Sequence, residues 1–293
     1  MARLLIANPW ASGVDEERLA GVRAELPAGT ELRLTSASGE ATEIAREVAG
    51  QVEALYVFGG DGTFNEVLNG IDATTPLGLI PGGGTSVLPR ALGLPRGSAA
   101  AARRLAGDAR PRRIGLGRVN GRRFGFACGI GLDAEIVRAV NELGRRSDGR
   151  RPGNVVFAWT GFRTLARHRY RLDPMLEVTG HARAAFALVS NGPSYSYAGP
   201  VALHAAPSAT FEGGLDLVAP TSVRARDIPR IARYAVGRGD RASARDLVYL
   251  HDADRIEIVC DHPLPLQADG EDLGDVEHAI FEAERDAVTV LVP

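Results

Sequence analysis

A chain of 293 residues with 34 basic and 36 acidic side chains carries a net charge of −2, which provides no global field for steering nucleic acid and disfavours a general nucleic-acid binder. Its 45 % hydrophobic content and its length fit a globular protein of two medium domains. All 34 basic residues are arginine, which excludes a Walker A lysine, a protein-kinase strand lysine and Schiff-base or pyridoxal chemistry.

The first third alternates strand and helix. Residues 3–8 (RLLIAN) read as strand, 16–26 as helix, 31–35 (ELRLT) as strand, 40–49 as helix with apolar positions at helical spacing, and 54–58 (ALYVF) as a buried strand. A glycine loop follows, then a helix over 63–71, a strand over 76–81 (PLGLIP), a second glycine loop, and helices through 90–94 and 99–107. This order predicts a parallel sheet with helices on both faces. From about Arg113 the texture changes to two strand-like runs, 112–119 and 122–129, joined by Asn120-Gly121, a strong hairpin signal. Helices are expected over 133–143, 154–166 and 227–238, and strands over 171–180, 182–191, 201–207, 215–220 and 255–260. The last run, 287–292 (AVTVLV), is expected to return to the first domain. The predicted organisation is an α/β domain over 1–115 with a returning segment 280–293, and a mainly antiparallel β-sandwich domain over 116–279.

Cys128 and Cys260 are far apart and outside any CxxC, so neither a disulfide framework nor a thiolate zinc site is expected. The default setting is cytoplasmic, with the inner membrane face as a peripheral location. No run reaches the roughly 18 apolar residues of a spanning helix, and MARLLIANPW is too short in its apolar part for a signal peptide.

Two stretches carry the chemistry. FGGDGTFNEV, residues 58–67, and PGGGTSV, residues 81–87, each follow a strand of the predicted parallel sheet, where ligands bind beyond the strands' carboxyl ends. Glycines there let backbone approach a ligand, and successive amides with a helix N-terminus favour phosphate. Asn65 stands where a dinucleotide fingerprint needs its third glycine, so that fold is not indicated. Either loop alone is more often just a tight turn. Asp61 shifts the balance, because a carboxylate at a phosphate site is costly unless it holds a metal or accepts a proton.

GGDGTFNEV followed by PGGGT and RALGLP resembles the lipid kinase superfamily that includes bacterial soluble diacylglycerol kinases, sphingosine kinases and eukaryotic diacylglycerol kinases. The resemblance extends through Asn8-Pro9 with Ser12-Gly13, Thr35 with Gly39 and Ala41, Gly129-Ile130-Gly131-Leu132-Asp133-Ala134, Glu212-Gly213-Gly214-Leu215-Asp216 and Asp269-Gly270-Glu271. It implies a nucleotide-binding domain of NAD kinase and phosphofructokinase type, a C-terminal β-sandwich that holds the lipid, and ATP and Mg²⁺ as cofactors of a phospholipid-metabolising kinase. By the same resemblance Gly59, Gly60, Gly62 and Thr63 cradle ATP phosphates, and Asn8, Thr35, Glu66, Gly84 and Thr85 line the nucleotide site. Asp61 handles metal or phosphate, Glu271 with Asp269 is the base that takes the acceptor proton, and a structural magnesium sits at Asp216 and the backbone of Gly213 and Leu217.

Taken without the family, Asp216 and Asp269 are equally well turn aspartates beside glycine, and Asp133 is better read as a helix N-cap. The chain departs from the family at Ser86-Val87, where Asn-Asp is common, at Pro89, and at Gly115, where bacterial diacylglycerol kinases carry an aspartate. Two rivals stand beside the lipid kinase: an NAD kinase-like enzyme, and a lipid- or nucleotide-binding protein of this fold with impaired chemistry.

Between Arg138 and Arg171 nine arginines face only Glu142 and Asp148, interleaved with Val155, Val156, Phe157, Trp159 and Phe162. Such a segment suits peripheral docking on an anionic membrane; a core-facing helix with a solvated arginine face is the competing expectation. The oligomeric state, a homodimer included, is left open.

Overall fold

The computed structural model describes residues 2–144, 154–236 and 246–293, and the chain divides into two compact units. The first takes in residues 2–116 and 285–293, the second the described residues between 117 and 284.

In the first unit β1 (Arg3–Ala7), α1 (Glu16–Glu25), β2 (Glu31–Leu34), α2 (Glu40–Val48), β3 (Ala54–Gly59), α3 (Asp61–Leu68), β4 (Leu77–Pro81), α4 (Val87–Ala91) and α5 (Ser98–Ala106) follow in order, and β5 (Arg110–Val119) leads out. The sheet runs β4-β3-β1-β2 with every pair parallel. All six residues of β3 and all five of β4 are buried, which is why these strands read as unbroken apolar runs rather than alternating ones. Asp15 starts α1 by accepting the Arg18 amide at 2.8 Å. The chain's last residues join this unit, Val290 pairing in parallel with Leu77.

In the second unit come β6 (Arg122–Phe124), β7 (Ala127–Ile130), α6 (Leu132–Glu142), α7 (Asn154–Arg167), β8 (Arg171–Leu172), β9 (Leu176–Val178), β10 (Arg183–Ala184), β11 (Ala187–Ser190), β12 (Ser196–Ala198), β13 (Val201–Leu203), β14 (Leu215–Pro220), β15 (Val223–Arg224), α8 (Ile228–Val236), β16 (Leu247–Ala253), β17 (Arg255–Ala268) and β18 (Glu271–Val292). The order β16-β14-β11-β7-β17-β18 is antiparallel throughout. Its core gathers Cys128, Ile130, Val189, Leu215, Leu217, Ile258 and Phe281, with Phe124 and Phe281 edge-to-face at 6.4 Å.

The expected hairpin forms at Asn120-Gly121, both at positive φ as a two-residue hairpin turn requires. Three expectations are corrected. The run 122–129 is two strands, not one, because the amides of Gly125, Phe126 and Ala127 are drawn to a side chain instead of a ladder. The run 201–207 shortens to β13 in a two-stranded hairpin with β12. Asp133 does not cap α6: Gly131 does, and the Asp133 side chain turns inward.

Candidate functional site

Because β1 to β4 are parallel, the residues that follow them emerge at one edge of the sheet. Asn8 follows β1 and ties it to β3, its amide donating to the Phe58 carbonyl at 3.0 Å and its Nδ2 to Thr63 Oγ1 at 2.8 Å. Thr35 follows β2, is 4 % exposed, and donates its amide to Ala7. The two glycine loops meet directly: the Gly82 amide donates to the Gly59 carbonyl at 2.7 Å, and the Gly13 amide to the Gly82 carbonyl at 2.8 Å. A Cβ on Gly83 would stand 2.9 Å from Gly60 Cα, so the close approach of the loops requires glycine. No side chain caps α3, whose N-terminus opens at Gly60 and Asp61. An eight-residue helix beginning there, with its first amides directed outward, is a place for an anion.

Asp61 reaches across to the second loop, its Oδ1 accepting the Val87 amide at 2.7 Å. It therefore fixes the start of α4 relative to α3. The Val87 side chain is 3 % exposed and belongs to the core. Asp61→Ala removes a charged acceptor from that amide and is expected to cost about 1.5–3 kcal/mol, with Asp61→Asn much milder; urea unfolding of the two variants measures the difference. Glu66 is engaged at the start of α2. Its carboxylate accepts the Ala41 amide at 3.3 Å and lies 3.4 Å from Ser38 Oγ, so it braces the start of α2. Gly84 is exposed and Thr85 half-exposed at the tip of the second loop.

The Asp-Gly-Glu motif is the turn between β17 and β18, with Asp269 and Gly270 both at positive φ. The Asp269 carboxylate, 4 % exposed, accepts the amides of Gly125, Phe126 and Ala127 at 2.6, 3.0 and 3.2 Å. With its lone pairs so committed Asp269 holds backbone, and its expected share in proton transfer is corrected to a positioning role. Glu271 is different: it is partly exposed, and its Oε2 meets Arg122 Nη2 at 2.7 Å.

Sequence reading missed the groups that hold this turn. Gln267, 2 % exposed, accepts the Gly270 amide at 2.8 Å and donates to Asp133 Oδ2 at 2.7 Å, while Asp133 Oδ1 takes the Tyr195 hydroxyl. Burial pushes the Asp133 carboxyl above the ordinary aspartate range, and the bonds from Tyr195 and Gln267 offset part of that. A raised folded-state value favours the protonated fold: the contribution is complete below the unfolded value and is lost as pH rises through the folded one. Asp133→Asn is therefore expected to gain stability relative to the parent chain as pH climbs from about 4, read as the difference of melting temperatures across a pH series.

Asp216 sits at a bulge in β14 and is 1 % exposed. Its carboxylate receives the Tyr249 hydroxyl at 2.9 Å, the Asp252 amide at 3.0 Å and His251 Nδ1 at 2.9 Å, and Asp252 in turn accepts the Gly214 amide at 2.6 Å. The Gly213 amide goes to Thr210, and Leu217 lies in register between Val189 and Leu250 inside the sheet. Magnesium takes oxygen ligands in near-octahedral order, whereas Asp216 is ringed by hydrogen-bond donors. Among the described residues the expected magnesium set Asp216, Gly213 and Leu217 does not fit a cation; the Asp216 carboxylate and the pairing of Leu217 with Leu250 join β14 to β16.

An apolar cavity in the second unit is lined by Phe186, Leu188, Val218, Ile231, Tyr234 and Leu247, with Arg230 and His204 beside them. Among the described residues no helix is long and apolar enough to cross a membrane.

Comparison with known proteins matches residues 2–119 to the family model described as the diacylglycerol kinase catalytic domain, and residues 127–292 to that described as the YegS C-terminal NAD kinase beta sandwich-like domain. A curated diacylglycerol kinase of Bacillus subtilis (strain 168) is 29 % identical over 248 residues, 83 % of this chain and 79 % of that protein. The solved structure of a diacylglycerol kinase from Bacillus anthracis str. Sterne aligns with a TM-score of 0.71 at 21 % identity, over 100 % of this chain and 97 % of the other. A further solved chain from that organism aligns at 0.75 with 24 % identity over the same shares.

Proposed function

Because the chain belongs to the family of diacylglycerol kinase-like lipid kinases, we propose that it transfers the γ-phosphoryl group of ATP to a hydroxyl of a diacylglycerol, a sphingoid base or a related lipid. The observation that carries this reading is the uncapped N-terminus of α3 set among three touching loops, an anion cradle made of backbone in a chain without lysine. Gly59, Gly60, Gly62 and Thr63 hold the donor phosphates there, and Asn8, Thr35, Gly84 and Thr85 border them. Phosphoryl transfer asks the protein chiefly for positioning and charge stabilisation, which amides and arginines supply. Glu271 takes the proton of the acceptor hydroxyl; the freed oxygen forms its bond to the γ-phosphorus as the bond from that phosphorus to the ADP oxygen breaks.

The match of residues 2–119 to the diacylglycerol kinase catalytic domain supports a lipid acceptor over NAD. The test is purified protein with ATP and Mg²⁺ against diacylglycerols, sphingoid bases and NAD, followed by transfer of labelled phosphate. Label in a lipid is the expected result. Label in NAD alone would overturn the lipid reading, and nucleotide binding with no transfer to any acceptor would favour the chemically impaired alternative.

A further inference from the structure

We propose that His251 stands in for a divalent cation at the corner of β14 and β16, so that the second unit is held there by hydrogen bonds and needs no magnesium to keep β16 in place. A carboxylate buried as deeply as that of Asp216, 1 % exposed, is costly unless donors or a cation surround it. The family resemblance implies magnesium at this position. The side chains present supply the other solution.

The backbone brings the donors together. Leu215 stands opposite Ala253 and Leu217 opposite Leu250, so the register shifts and Asp216 alone faces both His251 and Asp252. With Asp252 at φ 56°, the bulge presents the Asp252 amide and the His251 ring to one carboxylate. Such a group offers about four acceptor directions. Oδ1 takes the Asp252 amide at 3.0 Å and His251 Nδ1 at 2.9 Å; Oδ2 takes the Tyr249 hydroxyl at 2.9 Å and the same Nδ1 at 3.0 Å. Because the carboxylate only accepts, Nδ1 carries a proton. Tyr249 is itself held by a hydrogen bond with Ser208.

Magnesium binds oxygen at about 2.0–2.1 Å, and to reach Asp216 it would have to expel the imidazole or the hydroxyl. It would find little in exchange. Ser190, the register partner of Asp216 on β11, offers one buried hydroxyl, and among the described residues no three His, Cys, Asp or Glu side chains gather as a metal site. Nor does an arginine pair with Asp216 among the described residues. In the basic segment 138–171, Arg138 is engaged with Asp272 and Asp275 and Arg171 with Asp173. Arg145, Arg146, Arg150 and Arg151 and the Val155 side chain lie outside the described residues.

The proposal is independent of the kinase reading and leaves aside the metal that accompanies ATP, since its test uses no nucleotide. Full-length protein is melted at one pH after exhaustive treatment with EDTA, and again in excess magnesium chloride, with sodium chloride of equal ionic strength as the control. The melting temperatures are expected to agree, as is hydrogen exchange over residues 247–253, the strand at the end of the sheet order. The imidazole is 55 % exposed, so His251→Ala leaves the core intact. It is expected to lower the melting temperature by roughly 2–6 °C, a hydrogen bond to a charged acceptor discounted for that exposure, and to speed exchange in 247–253. His251→Asn, whose Nδ2 can donate from much the same place as Nδ1, should recover most of the loss. Magnesium should restore neither variant. A fall in melting temperature on EDTA treatment of the parent chain that magnesium reverses would overturn the proposal. So would recovery of His251→Ala by magnesium, which would make the corner a cation site that the imidazole merely closes, and so would a His251→Ala variant that melts and exchanges like the parent chain.

Discussion

Asp269→Ala is expected to lower the melting temperature by roughly 6–20 °C, the largest stability effect of any single substitution near the Asp-Gly-Glu turn. The carboxylate is almost entirely enclosed and receives three consecutive backbone amides, from Gly125, Phe126 and Ala127. Removing it strands buried donors at about 1–3 kcal/mol each, and partial relaxation or water entry brings the sum to about 3–5 kcal/mol. Backbone adds to this: Asp269 lies at φ 50°, a region aspartate and asparagine tolerate better than alanine. Asp269→Asn keeps one acceptor oxygen and the backbone preference, so it should fall between the two. The pair of variants also separates a structural from a chemical role. If Asp269 moved a proton, Asp269→Asn would lose activity far out of proportion to its loss of melting temperature; a clamp predicts that activity and stability decline together.

The parts of the fold that were legible in the sequence are those specified by neighbours along the chain. Strands β3 and β4 could be read because both faces are buried and every residue is apolar or small. The hairpin at Asn120-Gly121 could be read because its turn needs positive φ at two successive positions. Strand β18 was legible only at its end. Residues 271–286 carry many acidic side chains on a strand with few buried positions, and a sequence that polar gives no alternation to detect. Strand β16 escaped notice for the same reason, with none of its seven residues fully buried.

The candidate site shows a sharper limit. Glycine loops announce themselves, but what an acidic residue in them does depends on partners far away in sequence. Asp61 finds the Val87 amide 26 residues on, Glu66 the Ala41 amide 25 residues back, and Asp269 amides more than 140 residues back. Three acids read as candidates for metal, nucleotide or proton chemistry thus hold backbone amides. Asp216 belongs with them, its carboxylate on the Asp252 amide. A family motif identifies which positions are constrained; the hydrogen-bond partners decide whether the constraint is chemical or architectural. Glu271, by contrast, meets the guanidinium of Arg122.

Glu271→Gln is therefore expected to carry the largest loss of activity, roughly 10²–10⁴-fold in kcat, the usual contribution of a positioned general base. KM for ATP should stay close to that of the parent chain, because the donor phosphates are assigned to the loops after β1, β3 and β4. Arg122 sharpens the experiment. Its guanidinium meets Glu271 at 2.7 Å, with the two side chains 41 % and 26 % exposed, and a pair so exposed contributes at most about 1 kcal/mol to stability. Glutamine still accepts that hydrogen bond while being unable to take a proton, so Glu271→Gln should melt within a few degrees of the parent chain. Arg122→Gln removes the orienting partner and leaves the carboxylate, and a loss well short of that of Glu271→Gln is expected. Were Glu271 merely half of a surface ion pair, the two variants would behave alike and neither would change kcat by more than a few fold. A large loss in Glu271→Gln, a small one in Arg122→Gln and nearly equal melting temperatures are the combination expected of a proton acceptor at Glu271 and not of half a surface ion pair.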